Sequence, residues 1–82
     1  MFEIVFTDKS LKQVQKFEKG VKERIINSLE RIRTRPEVHL LRLVGSEAYR
    51  LRVGDYRIII DLDFVKNNIV IIKVGHRKEI YD

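Results

Sequence analysis

The 82-residue chain contains no cysteine, so it can form neither a disulfide bond nor a metal site built on thiolates. It has no apolar run that approaches the length needed to cross a bilayer. Its start, Met1-Phe2-Glu3, lacks the basic region and apolar core of a signal peptide. There is also no internal repeat, linker or low-complexity segment. The sequence therefore predicts one small domain, residues 1–82, in the reducing cytoplasm.

Positive charge is concentrated in the middle of the chain. The formal net charge is +5, and residues 31–60 hold seven basic and three acidic side chains. All seven basic residues in that third are arginine. Arginine presents a planar set of donors that suits phosphate, and it stays charged at any working pH. The excess therefore favours a partner that carries phosphate groups.

The segment 49–60 has the pattern of two short strands joined by a tight turn. Apolar and basic residues alternate along its first strand, which puts the basic ones on one face. Gly54-Asp55 is a two-residue hairpin signal, because glycine supplies the positive φ that such a turn requires. A two-residue loop places Arg52 across from Arg57, with Arg50 on the same face.

Two interpretations of this basic face stay open. Like charges opposite one another on a sheet are destabilising, by roughly 0.2–1 kcal/mol for each pair. Folding alone therefore does not favour a sheet face that carries three arginines. A nucleic-acid backbone is the simplest ligand for such a face. Alternatively, arginines on the outer face of an antiparallel sheet are ordinary solvated surface that keeps the protein soluble.

The remaining patterns complete the fold prediction. Apolar spacing indicates two helices, separated at Gly20 and ended by Pro36, whose shared apolar stripe faces the core. The β-branched run Ile69–Val74 predicts a central strand that is buried on both faces over much of its length. With a first strand at 2–6, the order is β-α-α-β-β-β. This is an α+β fold with a small curved antiparallel-type sheet and a helical hairpin on one face.

Two motifs together carry a resemblance to a known family. The run Tyr49-Arg50-Leu51-Arg52-Val53-Gly54-Asp55-Tyr56-Arg57, followed later by Val74-Gly75-His76-Arg77 and then Tyr81, resembles the RelE family of the RelE/ParE toxin superfamily. The resemblance covers nearly the whole chain, including its length and element order. It implies a type II toxin that enters the ribosomal A site and cuts mRNA there. It also implies a RelB-type antitoxin that wraps the toxin with helical segments.

The resemblance further implies roles for individual residues. The two basic positions before the turn fall on Arg50 and Arg52, and the arginine after the turn falls on Arg57. The arginine after the glycine of the last strand falls on Arg77, and the C-terminal tyrosine falls on Tyr81. We expect catalytic roles for Arg57, Arg77, Tyr81 and Arg52, and RNA-binding roles for Arg50, Arg52, His76 and Lys78.

The resemblance leaves open which residue acts as the general base. Family members often have lysines at the positions of Arg50 and Arg52, and a lysine has been given the general-base role. Arginine is a poor proton acceptor, whereas His76 ordinarily titrates close to neutral pH. A strand-like backbone would, however, point His76 away from Arg77. Tyr81 could stack on a base, help to deprotonate the 2′-OH, or simply pack its ring on the sheet.

Neither a metal nor another cofactor is expected, because the two histidines are far apart and the Asp61/Asp63 pair has no third ligand. Two other functions remain open beside ribosome-dependent mRNA cleavage. One is a ParE-like role, in which the same fold poisons a topoisomerase. The other is a catalytically weak binding module that persists as an antitoxin-bound complex.

Overall fold

The structure is a computed structural model and describes residues 1–80 of the chain. Three helices and five strands follow one another in those residues. In chain order they are β1 (Glu3–Phe6), α1 (Asp8–Gln15), α2 (Lys19–Arg31), α3 (Pro36–His39), β2 (Leu41–Arg42), β3 (Tyr49–Val53), β4 (Tyr56–Asp63) and β5 (Asn68–His76).

The strands form one mixed sheet in the order β1-β5-β4-β3-β2. Neighbouring strands are antiparallel, except that β1 runs parallel to β5. The predicted α+β class is confirmed, and the structure adds the short α3 and the two-residue β2 before the hairpin. α1 and α2 pack on one side of the sheet, which we call the helix face. The other side, the open face, carries Arg50, Arg52, Arg57, Ile59 and Lys73.

The hydrophobic core lies between the helix face and the two long helices. Ile25 and Leu29 of α2 are fully buried there against apolar residues of β3, β4 and β5. The prediction that β5 is buried on both faces is wrong. Ile71 on the helix face is fully buried, whereas Ile72 is 38% exposed and Val70 is half-buried. An internal strand forms backbone hydrogen bonds to a neighbouring strand along both edges. Its side chains, however, are buried on both faces only if helices cover both faces of the sheet.

Polar contacts hold α1 against the sheet. The Thr7 side chain caps the helix, since its Oγ1 accepts a hydrogen bond from the Ser10 amide at 3.1 Å. The same hydroxyl lies 3.0 Å from the Ile71 carbonyl, to which it can donate. One turn later, Gln13 Oε1 accepts the amide proton of Val74 at 2.8 Å. The start and the middle of α1 are therefore both tied to β5.

Two helix ends differ from the prediction. Gly20 does not end a helix but lies in the first turn of α2, where it is exposed. Pro36 begins α3, and α2 has already ended at Arg31; proline suits a first helical position because it lacks the amide hydrogen that would stay unpaired there. Within residues 1–80, no helix is long and apolar enough to span a membrane.

Candidate nucleic-acid interface

The β3–β4 hairpin brings the predicted arginines together on the open face. Gly54 has a φ of +58° in the two-residue turn, and the register pairs Arg52 with Arg57 and Arg50 with Ile59, as predicted. β5 then places Gly75 directly beside Arg57. We call Arg50, Arg52, Arg57 and the adjacent Arg77 the arginine cluster.

Arg57 is the anchored member of the arginine cluster. Its residue is only 8% exposed, and its Nη1 donates hydrogen bonds to the carbonyl oxygens of Gly54 at 2.9 Å and Tyr56 at 3.0 Å. Burial lowers the pKa of Arg57, and the neighbouring positive charges of Arg52, Arg50 and Arg77 lower it further. The guanidinium is therefore fixed in position beneath the turn and surrounded by like charge, which favours an anionic ligand.

The segment after β5 turns back toward the hairpin. The Arg77 amide donates to the Asp55 carbonyl at 2.7 Å, and Arg77 Nε lies 3.7 Å from Asp55 Oδ1. Both side chains are more than half exposed, so this ion pair is weak and leaves Arg77 able to reach a ligand. Ile80 is buried over Gly75, where an added Cβ would lie 3.0 Å from its Cδ1. Glycine at 75 therefore makes room for the chain that carries Arg77.

His76 lies apart from the arginine cluster. Its ring contacts Tyr56 edge to face at a centroid distance of 5.5 Å, and Tyr56 in turn packs on Phe17. These contacts place the ring on the helix side of the sheet. His76 Nδ1 accepts a hydrogen bond from the Lys78 amide at 3.2 Å, so a neutral ring in this arrangement carries its proton on Nε2. The Nδ1 lone pair is therefore engaged by the backbone in this arrangement.

The other predicted site residues have different surroundings. Lys78 is exposed in the turn after β5. Tyr81 lies outside the described residues. No three His, Asp or Glu side chains within residues 1–80 lie close enough together to hold a metal ion.

Two arginines of α2 were not predicted as site residues, because Arg24 drew no comment and Arg31 was explained by the favourable position of a cation at a helix end. Arg24 and Arg31 line a groove beside the hairpin together with Arg52. They are seven residues apart, and this spacing puts both on one side of a helix. Their spacing was the available signal, but the same pattern is normal for a solvated helix surface.

A family model described as the ParE toxin of the type II toxin–antitoxin system parDE matches residues 4–81. The chain belongs to this toxin family, which lies within the RelE/ParE superfamily. The resemblance inferred from the two sequence motifs is therefore confirmed at the level of the superfamily.

Solved structures give the same fold. A chain of the intact E. coli RelBE toxin–antitoxin complex matches with a TM-score of 0.79 at 25% identity, over 93% of this chain and 96% of that one. A chain of the Mycobacterium tuberculosis RelBE2 complex gives 0.84 at 19% identity, over 93% and 98%. A chain of the RelB–RelE complex from Methanococcus jannaschii gives 0.75 at 26% identity, over 95% of both chains. No curated protein matches the sequence.

Proposed function

We propose that this toxin is a ribosome-dependent endoribonuclease that cuts mRNA in the A site and is neutralised by a RelB-type antitoxin. The observation that carries the proposal is the arginine cluster, with Arg57 held beneath the hairpin turn by two carbonyl hydrogen bonds. The similar structures of RelB–RelE and RelBE complexes support the antitoxin partner.

RNA supplies its own nucleophile for this reaction. The 2′-oxygen of one nucleotide attacks the adjacent phosphorus and loses its proton, and the bond from phosphorus to the 5′-oxygen breaks. The departing 5′-oxygen takes up a proton, which leaves a 2′,3′-cyclic phosphate and a 5′-hydroxyl. The protein has to align these atoms and stabilise the negative charge that develops on the phosphate.

The arginine cluster provides that charge stabilisation. Arg57 and Arg77 flank the proposed position of the scissile phosphate, since Arg57 lies beneath the turn and Arg77 is tethered to Asp55 in the same turn. Arg50 and Arg52 extend the positive surface along β3 and hold the RNA backbone. Lys78 would contact the RNA by charge, and Tyr81 would stack on a base or help to deprotonate the 2′-OH.

Proton transfer is the step to which the arginine cluster contributes least. None of the four guanidinium groups accepts a proton near neutral pH, and His76 Nδ1 is already occupied by the Lys78 amide. Catalysis therefore depends on alignment and charge, and the ribosome has to fix the RNA in a reactive geometry. Free RNA without ribosomes should be cut poorly.

The test is a comparison of Arg77→Ala with Lys66→Ala in an in-vitro translation reaction, with mRNA ends mapped by primer extension. Lys66 is exposed in the β4–β5 turn, at the end of the sheet opposite the hairpin. We expect Arg77→Ala to lose about 10²–10³ in cleavage rate, as removal of a single transition-state donor does. Lys66→Ala should cleave like the unmodified protein. Full cleavage by Arg77→Ala would refute the role of Arg77.

One alternative stays open, the ParE-like inhibition of a topoisomerase, because the matching family is described as the ParE toxin. The two functions differ in their targets, so a supercoiling assay with purified gyrase separates them. Loss of supercoiling, together with intact mRNA in the translation reaction, would establish the alternative and exclude the nuclease.

A further inference from the structure

A basic groove lies between α2 and the β3–β4 hairpin. It has a volume of about 360 Å³. Three of its lining residues are arginines from two different elements, Arg24 and Arg31 from α2 and Arg52 from β3. The rest of the lining is formed by Asn27, Ser28, Val53 and Gly54.

Among residues 1–80, no ion pair neutralises an arginine of this groove. The ion pairs among residues 1–80 join Arg33 to Glu3 and Glu30, and Arg77 to Asp55. None of these pairs involves an arginine of the groove. Like charges that line one groove repel one another, so an anion bound among Arg24, Arg31 and Arg52 would be stabilised.

Two of the groove arginines also have defined positions. The guanidinium of Arg24 lies against the hairpin turn, where its Nη2 occupies the space that a Cβ on Gly54 would need. Arg31 Nη2 lies 3.4 Å from the hydroxyl of Ser28, which is buried at 9% exposure. The groove is therefore partly preorganised for a ligand that arginine recognises, and phosphate is the anion that suits several guanidinium groups at once.

Arg52 joins the groove to the arginine cluster. It lines the groove and is also the cross-strand partner of Arg57, and such partners lie roughly 5 Å apart at Cβ. We propose that the groove is a second phosphate site, which holds the RNA backbone on one side of the scissile position. This proposal rests on the proposed function, because it takes the ligand at Arg57 to be RNA.

The test measures RNA binding without cleavage. A short fluorescein-labelled single strand with 2′-O-methyl groups lacks the nucleophile, and its anisotropy is recorded as KCl is increased. For single strands, the slope of log K against log salt changes by about 0.7 for each phosphate that the protein neutralises. We expect R24Q/R31Q to weaken binding of different RNA sequences equally and to reduce this slope by at least about 0.7. The control K66Q should keep the slope of the unmodified protein.

Circular dichroism and urea unfolding confirm that R24Q/R31Q is folded before its binding is interpreted. A slope for folded R24Q/R31Q equal to that of K66Q would overturn the second site. A second outcome would also overturn the second phosphate site: R24Q/R31Q weakens binding of poly-glutamate but leaves RNA binding unchanged. The groove would then be assigned to an acidic protein.

The cleavage assay separates this proposal from the proposed function. If the unmodified protein cleaves mRNA on the ribosome but R24Q/R31Q and K66Q bind RNA alike, only the phosphate site in the groove is refuted. Absence of cleavage, with RNA binding that depends on Arg24 and Arg31, would refute only the nuclease.

Discussion

Removing Arg52 should stabilise the fold, although we propose that this residue binds the RNA backbone. Arg52 lies directly across from Arg57, and both lie on the open face. The pKa of Arg57 is lowered most by burial and next by the positive charge of Arg52. A lowered pKa in a cation means that the folded state disfavours its charged form. The charge on Arg57 therefore lowers the free energy of unfolding, and it does so fully at neutral pH. This loss is relieved only at strongly alkaline pH, where Arg57 gives up its proton.

The size of the effect follows from this cross-strand pair. Like charges opposite one another destabilise a sheet by roughly 0.2–1 kcal/mol, which for a domain of this size corresponds to roughly 1–8 °C in Tm. We therefore expect Arg52→Gln to raise Tm by that amount in low salt. The gain should shrink as NaCl is added, because the Debye length falls from about 10 Å at 0.1 M to about 3 Å at 1 M.

Calorimetry of Arg52→Gln beside Lys66→Gln tests this reasoning. Both changes remove one positive charge from a chain of net charge +5, but only Arg52 has a cationic cross-strand partner. If Lys66→Gln raises Tm by less than Arg52→Gln does, the additional increase comes from removing the repulsion between Arg52 and Arg57. A lower Tm for Arg52→Gln, or a gain that salt does not change, would refute the account of the arginine cluster.

Two further predictions concern the scaffold of the site. Gly54→Ala should lower the free energy of unfolding by about 1–2 kcal/mol, because its φ of +58° is unfavourable for a residue with a Cβ; it should also weaken RNA binding by displacing Arg24. Unchanged urea unfolding would contradict this. Gln13→Leu should cost about 1–3 kcal/mol, since it leaves the amide of the buried Val74 without its acceptor. Hydrogen exchange should then speed up at Val74, and unchanged protection there would show that α1 does not depend on this bond.

The hairpin was predictable because its information is local. A two-residue turn fixes the register of the strands that it joins, so the pairing of Arg52 with Arg57 follows from the position of Gly54-Asp55. The pairing of β1 with β5 is different, because their sequences contain nothing that specifies a parallel partner. Tertiary packing decides that pairing.

The groove could not be predicted for a related reason. Arg24 and Arg31 have the spacing of an ordinary solvated helix face, and they line a groove only because α2 packs beside the hairpin. Gly20 was misinterpreted because glycine often ends helices, yet the exposed first turn of α2 tolerates it. In both cases the surroundings of the residue, which a single sequence does not specify, determine its role.

The central claim is that this toxin cleaves mRNA only on the ribosome. The most direct measurement is primer extension on one mRNA incubated with the purified protein, once with translating ribosomes and once without them. We predict cuts within codons in the first reaction and intact mRNA in the second. Intact mRNA in both reactions, with the protein shown to be folded, would contradict it.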